Sequence, residues 1–397
     1  MDLSFLRPKV NPGKKMRIVL TGGGSGGHIF TLIAVIRELK KLAITNNFFL
    51  EMIYLGPDDF VLPYIIKEGI GVKKIFAGKL RRSFSLENFL DFFKTIAGIF
   101  QSFFYLYFLM PEVVFSKGGY GSFPVVLGSF LFFIPVYIHE SDAVPGLVNH
   151  LTGKFAKRIF ISFEYTKKYF PASKTILVGN PVRAFLLSLE ANKENTKKLL
   201  GLSLERPTVI IIGGSQGAKH LNDLVLDIIP KIIDKVEIIH QTGKNNFNQV
   251  KGEAEVVFRE IIGSDKNKSF YHPVPFFEET PNPSILSLRD VFLASDLIIV
   301  RAGSGLLFEV AAFGKPSIVI PLPWASRDHQ KINAYEYARN GAAVVVEESN
   351  LKPNIFSELI LQIISNKERQ KKMSEAAFAF AKPESAKQIA NYLINMA

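Results

Sequence analysis

The stretch "MRIVLTGGGSGGHIFTLIAVIRELKKLA", residues 16–43, decides how this chain folds. "MRIVLT" is a short apolar run with the look of a buried strand. Glycines then turn the backbone, and the apolar residues that follow recur at helical spacing. Strand, glycine loop, helix is the opening unit of a doubly wound sheet. The unit returns at residue 207, where "PTVIIIGGSQG" runs into "AKHLNDLVLDIIPKI". After the first unit come "FFLEMIYLG", "VKKIFAG", "EVVFSKGG", "PVYIHE" and "RIFISF". After the second come "VEIIHQTG", "DLIIVRAGSG", "PSIVIPLP" and "AAVVVEE". Short β-rich runs alternating with helical segments imply parallel sheets covered on both faces. The expected architecture is therefore α/β, with two doubly wound halves, residues 1–185 and 186–397. The junction falls in the polar stretch 184–205, and the last helix is free to pack back on the first half. Ligands of such sheets bind beyond the carboxyl ends of the strands, so two facing halves would form a cleft.

Composition agrees with two ordinary domains. The chain has 397 residues, 48% hydrophobic and 21% charged, and no cysteine. Disulfides and thiolate metal sites are thereby excluded. The first 20 residues hold no apolar run long enough for a secretory signal, so a cytoplasmic protein is expected. The formal charge of +12 is uneven: residues 1–190 carry 23 Lys+Arg against 13 Asp+Glu. A basic half suits phosphorylated substrates or an anionic lipid surface. No nucleic-acid motif accompanies it.

The loop "TGGGSGGH" satisfies G-x-G-x-x-G through Gly22, Gly24 and Gly27. A dinucleotide cofactor would also need an acidic residue at the end of the second strand, where "IYLG" stands instead. What remains is a backbone able to approach a ligand closely and a helix N-terminus offering N–H groups to an anion. His28 opens that helix. The positive end of the helix dipole disfavours a protonated ring, which suits a general base near pH 7. A cap or a phosphate donor would be placed in the same way.

Residues 85–111, "SLENFLDFFKTIAGIFQSFFYLYFLMP", form the most apolar long stretch. Glu87, Asn88, Asp91, Lys94, Thr95, Gln101 and Ser102 interrupt it at helical spacing, leaving Phe103–Met110 as the longest clean piece. A spanning helix needs about 20 predominantly apolar residues. The reading is a helix with one narrow polar stripe that does not span. It packs inside the protein, or lays part of its apolar face in a membrane interface beside Lys79, Arg81 and Arg82.

Eight motifs then occur in order: "TGGGSGGHIF", "SKGGYGSFP", "HESDAVPGLVN", "VGNPVR", "IGGSQGAKHLN", "HQTGK", "RAGSGLLFEVAAFGKPSIVIPLP" and "DHQKINA". Together they resemble the MurG family of bacterial glycosyltransferases, from about Met16 to Ala343 and weakly beyond. The resemblance implies a GT-B fold, two Rossmann-like domains facing a cleft. It also implies inverting, β-1,4 transfer of N-acetylglucosamine from UDP-N-acetylglucosamine to undecaprenyl-linked lipid I, giving lipid II for peptidoglycan. By the same resemblance, Ser25, Gly26, Gly27, Asp142, Arg183, Ser215, Phe277, Ser304, Glu309, His329 and Gln330 bind the donor. Within that set Phe277 reads the uracil edge through its backbone, Glu309 holds the ribose hydroxyls, and His329 and Gln330 meet the sugar ring. Gly118, Gly119 and Tyr120 line the acceptor side. His28 is the expected base, with Glu140 and Asp142 as alternatives. Lys79, Arg81, Arg82, Phe89, Phe92, Phe93 and Ile96 face the membrane, placing the enzyme peripherally on its cytoplasmic side. No cofactor, metal or nucleic acid is expected, and no Asp-x-Asp pair is present to hold a cation.

The chain departs from the family pattern at several places. His139-Glu140-Ser141-Asp142 replaces His-Glu-Gln-Asn, and an aspartate beside a diphosphate must be paired or protonated. Gly305 and Leu306 remove a hydroxyl, Thr31 replaces a helix proline, and residues 278–296 read as an inserted loop. The rival classes are a nicotinamide-dependent oxidoreductase, another GT-B enzyme (a different lipid acceptor, an epimerase or a hydrolase), and a membrane scaffold.

Overall fold

The computed structural model describes residues 15–23, 26–79, 86–187, 192–213, 219–263, 265–277 and 287–395. The chain divides into two compact units, residues 1–183 with 382–397, and residues 184–381.

In the first unit the described elements are β1 (Lys15–Thr21), α1 (Gly26–Thr45), β2 (Phe49–Gly56), α2 (Leu62–Lys67), β3 (Gly71–Lys74) and α3 (Leu86–Leu109). There follow β4 (Val113–Ser116), α4 (Phe123–Leu131), β5 (Val136–Glu140), α5 (Leu147–Thr152), β6 (Arg158–Ile161) and β7 (Thr175–Leu177). The seven strands run parallel in the order β3-β2-β1-β4-β5-β6-β7. Alternation along β1 shows why its sequence is apolar throughout. Ile18 and Leu20 enter a core with Leu32 and Ile36 of α1, while Val19 enters another with Leu106 of α3 and Val125 of α4. A strand buried on both faces has no polar side. Thr21 pairs with Ser116, and Ser116 with Ile138, so β1, β4 and β5 end along one edge.

Helix α3 is amphipathic in an inverted sense. Its polar stripe faces the protein: Asp91 and Ser102 are buried, Gln101 Oε1 accepts from Phe76 N at 2.7 Å, and Thr95 Oγ1 accepts from Gly78 N at 3.2 Å. Gly98 permits the close approach, because a β-carbon there would lie 1.8 Å from the Phe76 carbonyl oxygen. The aromatic face is bare. Phe89, Phe92, Phe93, Phe100, Phe104, Tyr107 and Phe108 are each more than half exposed, whereas Ile96, expected on that face, is half-buried. Residues 88–109 are long and apolar enough to cross a bilayer by length and composition, but these hydrogen bonds fix the helix along the unit.

The second unit holds α6 (Lys193–Leu199), β8 (Thr208–Ile212), α7 (Lys219–Ile232), β9 (Glu237–Gln241), α8 (Phe247–Val256), β10 (Tyr271–Val274), α9 (Leu288–Ala294) and β11 (Leu297–Arg301). It continues with α10 (Ser304–Ala312), β12 (Ser317–Ile320), α11 (His329–Ala338), β13 (Ala343–Val345), α12 (Pro353–Ser365) and α13 (Lys367–Phe380). Its six parallel strands lie in the order β10-β9-β8-β11-β12-β13. Two features depart from the sequence reading. β10 was not expected, since Pro273 interrupts it, but it is an edge strand, where a missing N–H is tolerated. Residues 288–294 of the expected inserted loop are helical, capped by Ser287 Oγ accepting from Asp290 N at 3.2 Å. Residues 278–286 lie outside the described residues.

The last helix, α14 (Ser385–Asn395), belongs to the first unit. Ile389, Leu393 and Ile394 share the core of β1 and α1, and Ser385 Oγ donates to Gly179 O at 3.0 Å.

Candidate active site

The β1–α1 turn and the turn after β4 lie against each other in the first unit. Gly118 and Gly119 have φ of 86° and 82°, in the left-handed region that favours glycine. A β-carbon on Gly119 would lie 2.0 Å from the Gly23 carbonyl oxygen and 3.2 Å from His28 Nδ1. His28 Nδ1 is 2.8 Å from that same carbonyl. A carbonyl only accepts, so Nδ1 carries the proton and Nε2 carries the lone pair. Burial, then the Lys117 charge, lowers the His28 pKa to about 4, outweighing the Gly23 bond and Asp142, which raise it. The ring is neutral at pH 7, as the sequence reading expected, but burial is the leading cause.

Glu140, at the end of β5, is buried and fully engaged. Oε1 accepts from Asp142 N at 3.0 Å, and Oε2 from Gly146 N at 3.0 Å and Asn149 Nδ2 at 2.9 Å. Burial and the neighbouring Asp142 push its pKa up, against Lys117 and these donors. A carboxylate bound on both oxygens shapes a loop and has little capacity left for an acceptor proton. Its three donors bind the same oxygens that a general base would offer. Asp142 is partly exposed. His139 is buried with Nε2 3.0 Å from Gly179 O, and burial holds its pKa well below the ordinary histidine value. Tyr120 donates to Asp59 Oδ2 at 3.1 Å, and the Lys79 ammonium lies 5.2 Å from its ring centroid. The Arg183 guanidinium lies 4.9 Å from the Phe30 ring centroid, against α1.

In the second unit the remaining candidates line the carboxyl ends of the strands. Phe277, just beyond β10, is buried and donates its backbone N–H to Gln241 Oε1 at 3.4 Å. Ser304 opens α10, and Glu309 is buried within it. Asn333 Nδ2 donates to Ala302 O at 3.1 Å, bracing the turn between β11 and α10. His329 opens α11 with Nδ1 2.8 Å from Ser326 O, and Gln330 Oε1 accepts from Leu322 N at 3.0 Å. Arg327 and Asp328, immediately before, hold φ of 55° and 53° without being glycines. Backbone strain of that kind collects at ligand-binding turns.

The structure thus gathers His28, Gly118, Gly119, Tyr120, Glu140 and Asp142 in one unit, and Phe277, Ser304, Glu309, His329 and Gln330 on the other. Gly26 and Gly27 open α1. Ser25, Arg81, Arg82 and Ser215 lie outside the described residues. Sequence reasoning missed Asn149 and Asn222. Asn149 anchors Glu140. His240 donates Nε2–H to Asn222 Oδ1 at 3.1 Å and accepts Tyr271 O–H at Nδ1 at 2.9 Å, while Asn222 Nδ2 donates to Thr242 O. Both asparagines stood inside quoted motifs, but their partners are distant in sequence. Among the described residues no three His, Asp or Glu side chains converge as a metal site requires.

Residues 18–161 match the glycosyltransferase family 28 N-terminal domain, and residues 208–389 its C-terminal domain. The chain is 36% identical over 367 residues to the UDP-N-acetylglucosamine–N-acetylmuramyl-(pentapeptide) pyrophosphoryl-undecaprenol N-acetylglucosamine transferase of Clostridium tetani, covering 92% of this chain and 94% of that protein. The enzyme of the same name from Treponema denticola is 35% identical, covering 95% and 96%. The crystal structure of Acinetobacter baumannii MurG superposes with a TM-score of 0.74 at 24% identity, over 95% of this chain and 99% of that one. A UDP-GlcNAc 2-epimerase from Neisseria meningitidis shares the fold at a TM-score of 0.64 and 17% identity, over 95% and 98%.

Proposed function

The chain belongs to the family 28 glycosyltransferases named UDP-N-acetylglucosamine–N-acetylmuramyl-(pentapeptide) pyrophosphoryl-undecaprenol N-acetylglucosamine transferase, and on that premise we propose that it makes lipid II with His28 as base. The reaction moves N-acetylglucosamine from UDP-N-acetylglucosamine to the 4-hydroxyl of the N-acetylmuramoyl sugar of lipid I. The hydroxyl proton passes to His28 Nε2, its oxygen bonds to the donor C1, and the C1–O bond breaks with its electron pair leaving on UDP. Inversion follows from one in-line displacement. The observation that carries His28 is its Nδ1 bond to Gly23, which fixes the tautomer and leaves Nε2 as the lone pair.

The donor roles rest on the family resemblance. Glu309 accepts the ribose hydroxyls, the Phe277 backbone meets the uracil, and His329 and Gln330 meet the sugar. Ser304, at the start of α10, meets the diphosphate, and Ser215 is given the same role by the family resemblance. In the first unit Gly26 and Gly27, at the start of α1, offer N–H groups to an anion, and Ser25, Arg183 and Asp142 are donor contacts by the family resemblance. The acceptor meets Gly118, Gly119 and Tyr120. The lipid cannot leave the bilayer, so the enzyme docks on it peripherally, from the cytoplasmic side. The exposed aromatic face of α3 supports that reading, with Lys79, Arg81 and Arg82 shortly before it in the sequence. UDP release followed with and without lipid I tests the reaction class. Release that requires lipid I is the expected result. Release without acceptor makes the protein a hydrolase, and an epimerised sugar makes it an epimerase.

A further inference from the structure

Four buried polar side-chain atoms of the first unit have no hydrogen-bond partner among the described residues and come from the same neighbourhood: Thr21 Oγ1, Lys117 Nζ, His139 Nδ1 and Asn149 Oδ1. Thr21 ends β1, Lys117 follows β4, His139 lies near the end of β5, and Asn149 packs on Gly118. Buried polar groups are nearly always satisfied, so such a cluster calls for an explanation. Lys117 is the costliest member. Its side chain is 1% exposed, and a lone buried ammonium is strongly disfavoured. It sits under both glycine turns, since a β-carbon on Gly22 would lie 3.1 Å from its Cβ and 3.5 Å from the Gly118 carbonyl oxygen.

Burial lowers the Lys117 pKa, opposed only in part by the charges of Glu140 and Asp142, which favour the ammonium. The charge acts in turn on His28 and His139, lowering the basicity of both. On His28 it is opposed by Asp142, and Asp59 stands beside Gly23 on the opposite side of the turn. The Glu140 carboxylate is already held by three N–H donors. Lys117 Nζ thus has no hydrogen-bond partner among the described residues, and its charge acts on a histidine that must become a cation during transfer.

We propose that Lys117 is a positioning residue that makes His28 responsive to anions: a substrate diphosphate seated against Gly23, Gly118 and Gly119 offsets the buried Lys117 charge, and only then is His28 a competent proton acceptor. This rests on His28 being the base. The linkage has a use. With no diphosphate in place His28 is a poor base, so proton abstraction waits for the substrate.

Ring titration of His28 by NMR tests it, using histidine-labelled protein and His28→Gln to assign the signal. In the free protein His28 should titrate well below 6.5, and inorganic pyrophosphate should raise its pKa by at least about one pH unit. In Lys117→Met the free protein should already show the raised value and respond little. UDP and a short-chain prenyl diphosphate, added separately, identify which substrate's diphosphate acts. No response of the folded wild-type protein to pyrophosphate, UDP or prenyl diphosphate overturns the proposal, whether or not Lys117→Met folds. A response confined to wild type supports it, and an equal response in Lys117→Met overturns it. Transfer to lipid I by the same preparation is read separately. Transfer with an unresponsive His28 refutes the linkage alone, while a responsive His28 without transfer refutes the acceptor assignment.

Discussion

Glu140 commits both carboxylate oxygens to N–H donors, and His28 keeps Nε2 without a hydrogen-bond partner among the described residues. Substitutions should separate the two. Glu140→Ala removes the shared acceptor of three N–H donors, at about 1–3 kcal/mol for a donor left dry, so it should lower the urea midpoint. His28→Ala should leave that midpoint nearly unchanged and reduce kcat by about 10²- to 10⁴-fold. A stable Glu140→Ala protein with abolished transfer would return Glu140 to the role of base. The neutral His28 ring is the active form, so activity falls only when acid protonates it. The acid limb of kcat/KM should lie well below pH 6.5, near the lowered value of about 4. A limb at 6.5 or above contradicts the assignment. From sequence, His28 was legible as a helix-opening residue after a glycine loop. Lys117, the charge that acts on it, was not, because a lysine after a strand carries no local sign of where its ammonium ends.

Helix α3 shows how a pattern can be read and its sense left open. The spacing of Asp91, Thr95, Gly98 and Ser102 identifies one stripe, but spacing alone does not say which face meets solvent. Here small and polar residues meet the Phe76–Gly78 backbone, and aromatics face outward. Replacing Phe100, Phe104 and Phe108 together by serine should therefore leave thermal stability within about 1–2 kcal/mol of wild type, while binding to anionic vesicles falls severalfold. Large destabilisation would mean that the face is covered by protein. Gly98→Ala should do the reverse, displacing the helix and lowering the melting temperature, since its new methyl meets a carbonyl at 1.8 Å. The same limit explains β10 and α9. Proline argues against a central strand but not an edge one, and the cap from Ser287 to Asp290 hid in a segment read as a loop.

At the scale of the molecule, two strand–glycine loop–helix units were enough to expect two doubly wound sheets, because buried parallel strands leave long apolar runs. The return of α14 to the first unit was expected only as an option, for an amphipathic helix does not encode its partner. Ending the chain after Ala381 removes Ile389, Leu393 and Ile394 from the first unit's core, about 1.5–3 kcal/mol each, and should give insoluble protein. Acid should act on both units. His28, His139 and His240 have pKa values lowered by burial, with His240 at about 3. The unfolded chain binds those protons near pH 6.5 and the folded chain does not. Their stabilisation is thus complete above 6.5 and is lost as pH falls towards 4. The melting temperature should drop between pH 6.5 and 4.5, above the range of ordinary carboxylates, and a flat profile there would refute three neutral buried rings. The central claim is transfer to a lipid-linked sugar with His28 as base. Its most direct test is transfer of labelled N-acetylglucosamine from UDP-N-acetylglucosamine to lipid I by wild type and His28→Ala, with UDP binding measured on both. Transfer by wild type, its loss in the variant and equal UDP binding are the predicted result. Undiminished transfer by His28→Ala, or none by a wild-type protein that binds UDP-N-acetylglucosamine, would contradict it.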